Sequence, residues 1–212
     1  MAFFKMTKGQ MLTAILCNYF TLFLLVGCGC CAVWVPTVWG KVGVVLAGLY
    51  VVPLILVRLL LAIHPLRQTK IQMFSADYFV WWFSYCAQLV YLRFPFLEEV
   101  LRVVPGFYSL WLRAWGAKIG KFVYWTPGTL VMDRPFIHIG NHVHFGLGSR
   151  VCPHLHVEGE LWLAPVEIED RVLLGAYSTL AAGAVIKADQ STKAFLIAPP
   201  FSVWQNNRRI VK

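Results

Sequence analysis

The sequence predicts an α+β membrane protein in two parts: apolar helices at the N-terminal end, then a coil of six-residue turns stacked three to a triangular layer. Three observations predict it. Mean hydropathy is +0.63, and only 14% of the 212 residues are charged, against about 25% in an ordinary soluble chain. The apolar residues are concentrated: from Met11 to Ile63 almost every side chain is apolar, whereas polar and charged residues recur after Lys118. From Ile119 onward an apolar residue returns every six positions.

Residues 11–35 carry no charge, and about 20 apolar residues suffice to cross a bilayer. Residues 42–64 make a second span, kinked at Pro53, with Arg58 placed to snorkel. The tetrapeptide Leu25-Val26-Gly27-Cys28 resembles a lipoprotein cleavage site, but the apolar run continues past Cys28 and is read as part of the span. Lys5 and Lys8 precede the first span, Arg67 and Lys70 follow the second, and the connecting loop holds only Lys41. Basic flanks favour the cytoplasmic side, so residues 1–72 read as a hairpin with both ends in the cytoplasm.

Residues 73–117 read as interfacial or re-entrant helices. The stretch 77–96 is aromatic and carries Arg93 and Pro95, which suit an interface better than a full crossing. Residues 98–115 read as amphipathic, with Arg102 and Arg113 available for headgroups.

The coil occupies 118–212. Steps of six give IGKFVY, WTPGTL and VMDRPF; after a two-residue slip, IGNHVH, FGLGSR and VCPHLH; after an excursion at 157–167, IEDRVL, LGAYST, LAAGAV and IKADQS. The first residue of every hexad is apolar. Gly or Ala recurs at the second position, and small or β-branched residues hold the fifth in seven of the ten hexads. A tight corner every six residues demands this pattern, a large side chain filling the interior and small ones at the turn. Both interruptions follow a third hexad and therefore fall at a corner, where stacking survives them.

On these residues, 111–209 resembles the hexapeptide-repeat acyltransferases, whose fold is a left-handed parallel β-helix. WLRAWGAKIG (111–120) is similar to the entry segment of the polysaccharide and sugar O-acetyltransferases. PVEIEDRVLLGAYSTLAAGAVI is similar to the coil after their catalytic loop. IAPPFSVW (197–204) is similar to their closing segment, with Ala198 and Phe201 departing from it. The helices also resemble those of membrane-coupled hexapeptide modules of peptide synthetases. The resemblance implies acetyl-CoA or another acyl-CoA as donor and a homotrimer with sites between prisms. It also implies a membrane-linked saccharide or lipid acceptor, and a bacterial inner-membrane location with the coil facing the cytoplasm.

Acyl transfer from a thioester needs a base, donors for the tetrahedral oxyanion, and the two substrates side by side. Histidine suits the base. His156 is a sixth residue, expected to point outward, and Pro165-Val166 match the family's restart after its catalytic loop; His154 is the rival, and the sequence weights His156 above it. His138, His144, Asn141 and Trp162 are candidates for contact with substrate, with Asn141 also readable as a turn residue. The resemblance implies coil amides near Gly175 and Ala176 as oxyanion donors and Arg208 and Arg209 as partners of coenzyme A phosphates.

The net charge of +9 fits a membrane surface better than nucleic acid, because no dense basic run with interleaved aromatics occurs. None of the six cysteines forms a CxxC or zinc-like spacing, and no metal is expected. Three alternatives stand beside the acyltransferase: a zinc carbonic-anhydrase-like coil, since five histidines lie between His138 and His156; a non-catalytic trimeric scaffold; and catalysis with a carrier-protein donor or an amine acceptor.

Overall fold

The structure, a computed structural model, describes residues 7–210. The chain divides into two compact units, one of residues 1–66 and 72–93, the other of residues 67–71 and 94–212.

The first unit is helical. Helix α1 (Lys8–Asn18) starts at a reciprocal cap, in which Thr7 Oγ1 accepts from Gln10 N at 3.2 Å and Gln10 Oε1 accepts from Thr7 N at 2.9 Å. Helix α2 (Phe20–Val33) continues it at a 56° bend. Helices α3 (Val38–Tyr50) and α4 (Val52–Ile63) meet at Val51, just before Pro53, which has no N–H to offer the ladder. Together α3 and α4 form one 26-residue apolar helix, about 39 Å at 1.5 Å per residue. It is long and apolar enough to cross a bilayer; α1 and α2 reach that standard only as a bent pair. Helices α2 and α3 approach closely because Gly48 faces Cys28, where a Cβ would meet the sulfur at 2.2 Å. Helix α5 (Ala76–Arg93) packs on α1, α2 and α4 and buries Trp81, Ala87, Gln88 and Tyr91. Residues 77–93 are therefore half-buried among helices of their own unit.

The second unit opens with two short helices, α6 (Phe96–Arg102) and α7 (Phe107–Ala114). Tyr108, Trp111, Leu112 and Trp115 recur at helical spacing and are buried. The amphipathic pattern is present, but the headgroup role expected of Arg102 and Arg113 needs correction. Arg102 does not face headgroups; it is buried against Glu98 and Glu99. Arg113 donates to the carbonyls of Ile119 (2.8 Å) and Gly120 (2.5 Å), satisfying backbone at the open end of the coil.

The coil that follows has three parallel faces. The first stacks Lys118–Ile119, Ile137–Ile139, Val166–Ile168, Val185–Ile186 and Val203–Gln205; the second His144–Phe145, Val172–Leu174 and Gln190–Ser191; the third Leu130–Val131, Arg150–Val151, Thr179–Leu180 and Ile197–Ala198. Ile119 pairs with Ile139, Ile139 with Ile168, and Ile168 with Ile186. All ten residues expected to point inward are buried. The regular coil is 18 residues, from Ile168 to Ile186. The first is two residues longer because a 3-10 turn, Arg134–Phe136, fills its third corner. The second is eleven residues longer.

Those eleven residues are not an irregular loop, as the sequence reading has it. They form most of a β-hairpin, His154–Val157 against Glu160–Leu163. Glu158 and Gly159 both take positive φ, 51° and 80°, as a two-residue turn matching strand twist requires. A strand at Thr69–Gln72 joins the hairpin's outer edge. The coil also runs one turn further than the hexads, with Thr192 and Ala198 buried in its interior. An antiparallel strand, Arg208–Ile210, ends it.

Corners are made at the fourth residue of each hexad, which takes the left-handed conformation: Phe122, His142, Arg171 and Asp189 at the first, with φ of 55–60°. Stacking there is tight; at the second corner a Cβ on Gly146 would lie 2.4 Å from the Ala176 nitrogen. Only the third corner departs from the rule. In the first coil Asp133, one position early, takes φ 43°. In the second, His154 leaves the corner extended, as the first residue of the hairpin.

Candidate active site

The departing corner brings two titratable side chains together. Val131 pairs with Val151, so residues just beyond them stack. His154 Nδ1 and Asp133 Oδ2 are hydrogen-bonded. Asp133 is only 2% exposed, so its carboxylate meets the imidazole in a low-dielectric setting, where an ion pair is strong. Burial alone would push the His154 pKa down; the Asp133 charge and hydrogen bond outweigh it and raise the pKa to about 10. Cys152 Sγ lies 3.8 Å from each His154 ring nitrogen.

Asp133 is itself held from behind. Its carbonyl accepts from Phe136 N at 2.8 Å. The next residue, Arg134, has no exposed surface; its guanidinium bonds Glu98 and lies 4.9 Å and 5.3 Å from the Trp111 and Trp115 ring centres. The buried charges of α6 thus end beside the carboxylate that orients His154.

His156 lies on the same face of the hairpin, two residues on, with ring centres 6.1 Å apart. Outward pointing therefore cannot separate the two histidines. His156 is exposed, and burial of its ring and the neighbouring His154 charge lower its pKa.

The other candidates are dispersed. His138 is on the first face, with Nδ1 3.4 Å from Glu167. His144 is exposed on the second face against Tyr124, 5.9 Å between rings. It lines a groove of about 610 Å³ with His142, Lys121 and Arg113. Asn141 is a corner residue: its Oδ1 accepts from Lys121 N at 2.9 Å and its N–H donates to Asp170 at 2.7 Å. That bond holds the Asp170 carboxyl below its usual range. Trp162, in the hairpin's second strand, stacks edge-on against Phe201 at 5.6 Å and lies under Lys70. Gly175 and Ala176 are at the second corner, away from the dyad in the same chain, and the Gly175 N–H already donates to Thr192 Oγ1 at 2.9 Å. Arg208 and Arg209 are exposed on the final strand. Among the described residues no group of three His, Cys, Asp or Glu side chains is arranged to hold a metal ion.

Sequence reasoning missed Asp133 and Cys152. The available signal was that Asp133 sits at the first interruption and His154 at the second, in successive coils.

The pair makes a direct prediction. A folded-state pKa above the unfolded value means that the contact contributes stability fully present below about pH 6.5 and lost as pH rises through about 10. In Asp133→Asn the His154 titration, followed by NMR, should fall back to the ordinary imidazole range or below, since burial then dominates. The variant should also lose the wild type's extra stability at neutral pH. An unchanged titration would show that the carboxylate does not control the ring.

No protein-family model and no curated protein matches the chain. Solved structures do. A hexapeptide-repeat-containing acetyltransferase from Vibrio cholerae is 15% identical over 58% of this chain and 90% of its own, at a TM-score of 0.39. A galactoside acetyltransferase in complex with coenzyme A is 18% identical over 57% of this chain and 79% of its own, at 0.34. A maltose O-acetyltransferase from Clostridium difficile is 17% identical over 56% and 83%, at 0.25.

Proposed function

We propose that this chain is a membrane-anchored acyltransferase that moves an acetyl group from acetyl-CoA to a hydroxyl of a membrane-linked saccharide. Its coil is left-handed in this reading, as in the family its hexads resemble. The observation that carries the proposal is the His154–Asp133 pair at the one corner that leaves the regular coil. A histidine oriented by a buried carboxylate is the arrangement that proton transfer at a reacting hydroxyl requires. The sequence weights His156; the Asp133 contact supports His154 in that role, with His156 as its neighbour.

The oxyanion donor is the Ala176 N–H, because that of Gly175 is taken. Ala176 reaches a His154 only from another copy. The second corner supports such an assembly. Leu147, Tyr177 and Phe195 are large, apolar and exposed there, and Ile197 follows at the start of the third face, Phe195 and Ile197 each exposed by 71%. A stripe of this kind marks an interface, and a homotrimer closes with three identical ones. Arg208 and Arg209 meet the donor's phosphates as charge-assisted donors.

The anchor rests on the first unit. Leu12, Leu22, Phe23, Leu46, Ile55 and Leu59 project from its helices exposed, where a soluble core helix would bury them. Basic residues flank the spans on one side, which sets the coil facing the cytoplasm of a bacterial inner membrane.

The test is calorimetric titration of the full-length protein in detergent with acetyl-CoA. Binding with a dissociation constant in the micromolar range is the expected result, and it should persist in His154→Ala, which removes proton transfer and not the donor site. Absence of binding would overturn the assignment in favour of a scaffold.

A further inference from the structure

The groove between α7 and the second face has no part in the chemistry above. It holds about 610 Å³, a volume typical of small-ligand sites. None of its eleven lining residues is acidic, and four are basic: Arg113, Lys121, His142 and His144. Arg113 commits Nε and Nη2 to the carbonyls of Ile119 and Gly120, so it lends charge to the wall but no free arm. Lys121, His142 and His144 are exposed, and among the described residues their side chains have no hydrogen-bond partner. Each imidazole is backed by an aromatic ring, His142 by Phe122 at 5.0 Å and His144 by Tyr124 at 5.9 Å, which leaves the ring N–H groups at the edge. Ser109, only 4% exposed, also lines the groove; its Oγ accepts from Trp125 Nε1 at 2.8 Å, so its own proton is left for a ligand. The carboxylates around the first corner are engaged elsewhere. Asp170 accepts from the Asn141 N–H at 2.7 Å, and Asp189 pairs with Arg171 at 2.5 and 2.8 Å. The groove therefore presents uncompensated donors, the setting that an anion such as a phosphate completes.

The margin of the groove says what the phosphate is attached to. Leu110 stands between Gly106 and Arg113 on one face of α7, four residues after the first and three before the second. It is exposed by 57%. Val103, Val104 and Phe107 continue the apolar surface around the turn between α6 and α7, Val103 exposed by 78%. The opposite side of these helices, with Leu101, Tyr108, Trp111 and Leu112, is the buried one. Both sides are thus apolar, and the outer one borders the basic groove. A soluble phosphate compound has no use for that outer surface. A phosphate carrying a hydrocarbon chain uses both.

We propose that this groove binds the phosphate headgroup of an anionic membrane lipid, with the lipid's chain lying along Val103, Val104, Phe107 and Leu110. Lys121, His142, His144 and Ser109 donate to the phosphate oxygens, and the apolar face of α6 and α7 enters the hydrocarbon boundary as an interfacial helix does. The site goes beyond the acyl-transfer reading and does not depend on it, since none of these residues belongs to the His154–Asp133 pair.

The experiment uses the full-length protein in a neutral detergent, with its histidine rings isotope-labelled for NMR. It is titrated in turn with phosphatidic acid, phosphatidylcholine, glycerol phosphate and acetyl-CoA. The His142 and His144 signals should shift and saturate with phosphatidic acid while those of His154 stay in place. Phosphatidylcholine and glycerol phosphate should leave them unmoved at the same concentrations. Lys121→Glu should raise the phosphatidic acid needed for half the shift by about tenfold or more. Lys118→Glu, the same change of charge on the first face, should stay within about twofold of wild type, because a built site feels its own donors most. Leu110→Asn, which leaves every charge in place, should also weaken the lipid. Glycerol phosphate as effective as phosphatidic acid would make the groove a site for a soluble phosphate and overturn the lipid, as would His142 and His144 signals that move with acetyl-CoA. Signals that move with none of these probes, or a Lys118→Glu loss equal to that of Lys121→Glu, would overturn the site. Acetyl-CoA binding by calorimetry is read separately, so the acyltransferase reading and this one can fail independently.

Discussion

Replacing His154 by alanine is expected to lower the acyl-transfer rate by about 10²–10⁴-fold, the usual worth of a positioned general acid–base group. The corner it leaves should stay folded. His154 begins a hairpin whose register is held by Leu161 and Leu163, both buried, and neither contact needs an imidazole. His156→Ala is the discriminating partner. Its ring is exposed, its carboxylate neighbour is one side chain further away, and its loss should change the rate only a few-fold. Steady-state rates for both variants, with thermal unfolding as the control, decide between the histidines. A silent His154 variant beside an inactive His156 variant would return the base to the residue the sequence weights.

How far that choice was legible is itself a physical question. The coil could be read because one interior position per six residues must be filled, and Ile119, Val131, Ile139, Phe145, Val151 and Leu174 fill it with large apolar groups. Its last turn could not, because Thr192 and Ala198 sit inside there, and neither stands out by hydrophobicity. The hairpin left only a faint trace, the pair Glu158-Gly159 before alternating Leu161 and Leu163. A turn with two positive φ values is announced far more clearly by Asn-Gly or Asp-Gly. The dyad was hidden for a different reason. Asp133 and His154 are 21 residues apart, and only a coil lengthened by two residues sets them in contact. The interruption that obscured the repeat is what builds the site.

The largest effect on stability is expected at Glu98, the first residue of the stretch that the sequence reads as amphipathic. It is 1% exposed. Its carboxylate accepts from Arg134 and lies 3.4 Å from Arg102, itself stacked 4.3 Å from the Tyr108 ring centre. Glu98→Ala removes the anion that both buried guanidinium groups share, and breaking a buried pair on one side costs about 3–5 kcal/mol. Chemical denaturation should show a loss of that order. The double variant Glu98→Leu, Arg134→Met should recover most of it, because a buried pair replaced by apolar groups of similar volume is close to neutral. Activity should not recover with stability. Arg134 follows Asp133 directly and packs against both Trp111 and Trp115. That packing, with the Glu98 ion pair, holds the backbone at Asp133, whose φ of 43° is costly for a residue other than glycine. Released from it, Asp133 relaxes away from His154, and a stable but slow enzyme results. A double variant with full activity would separate the two roles and place the ion pair in stability alone.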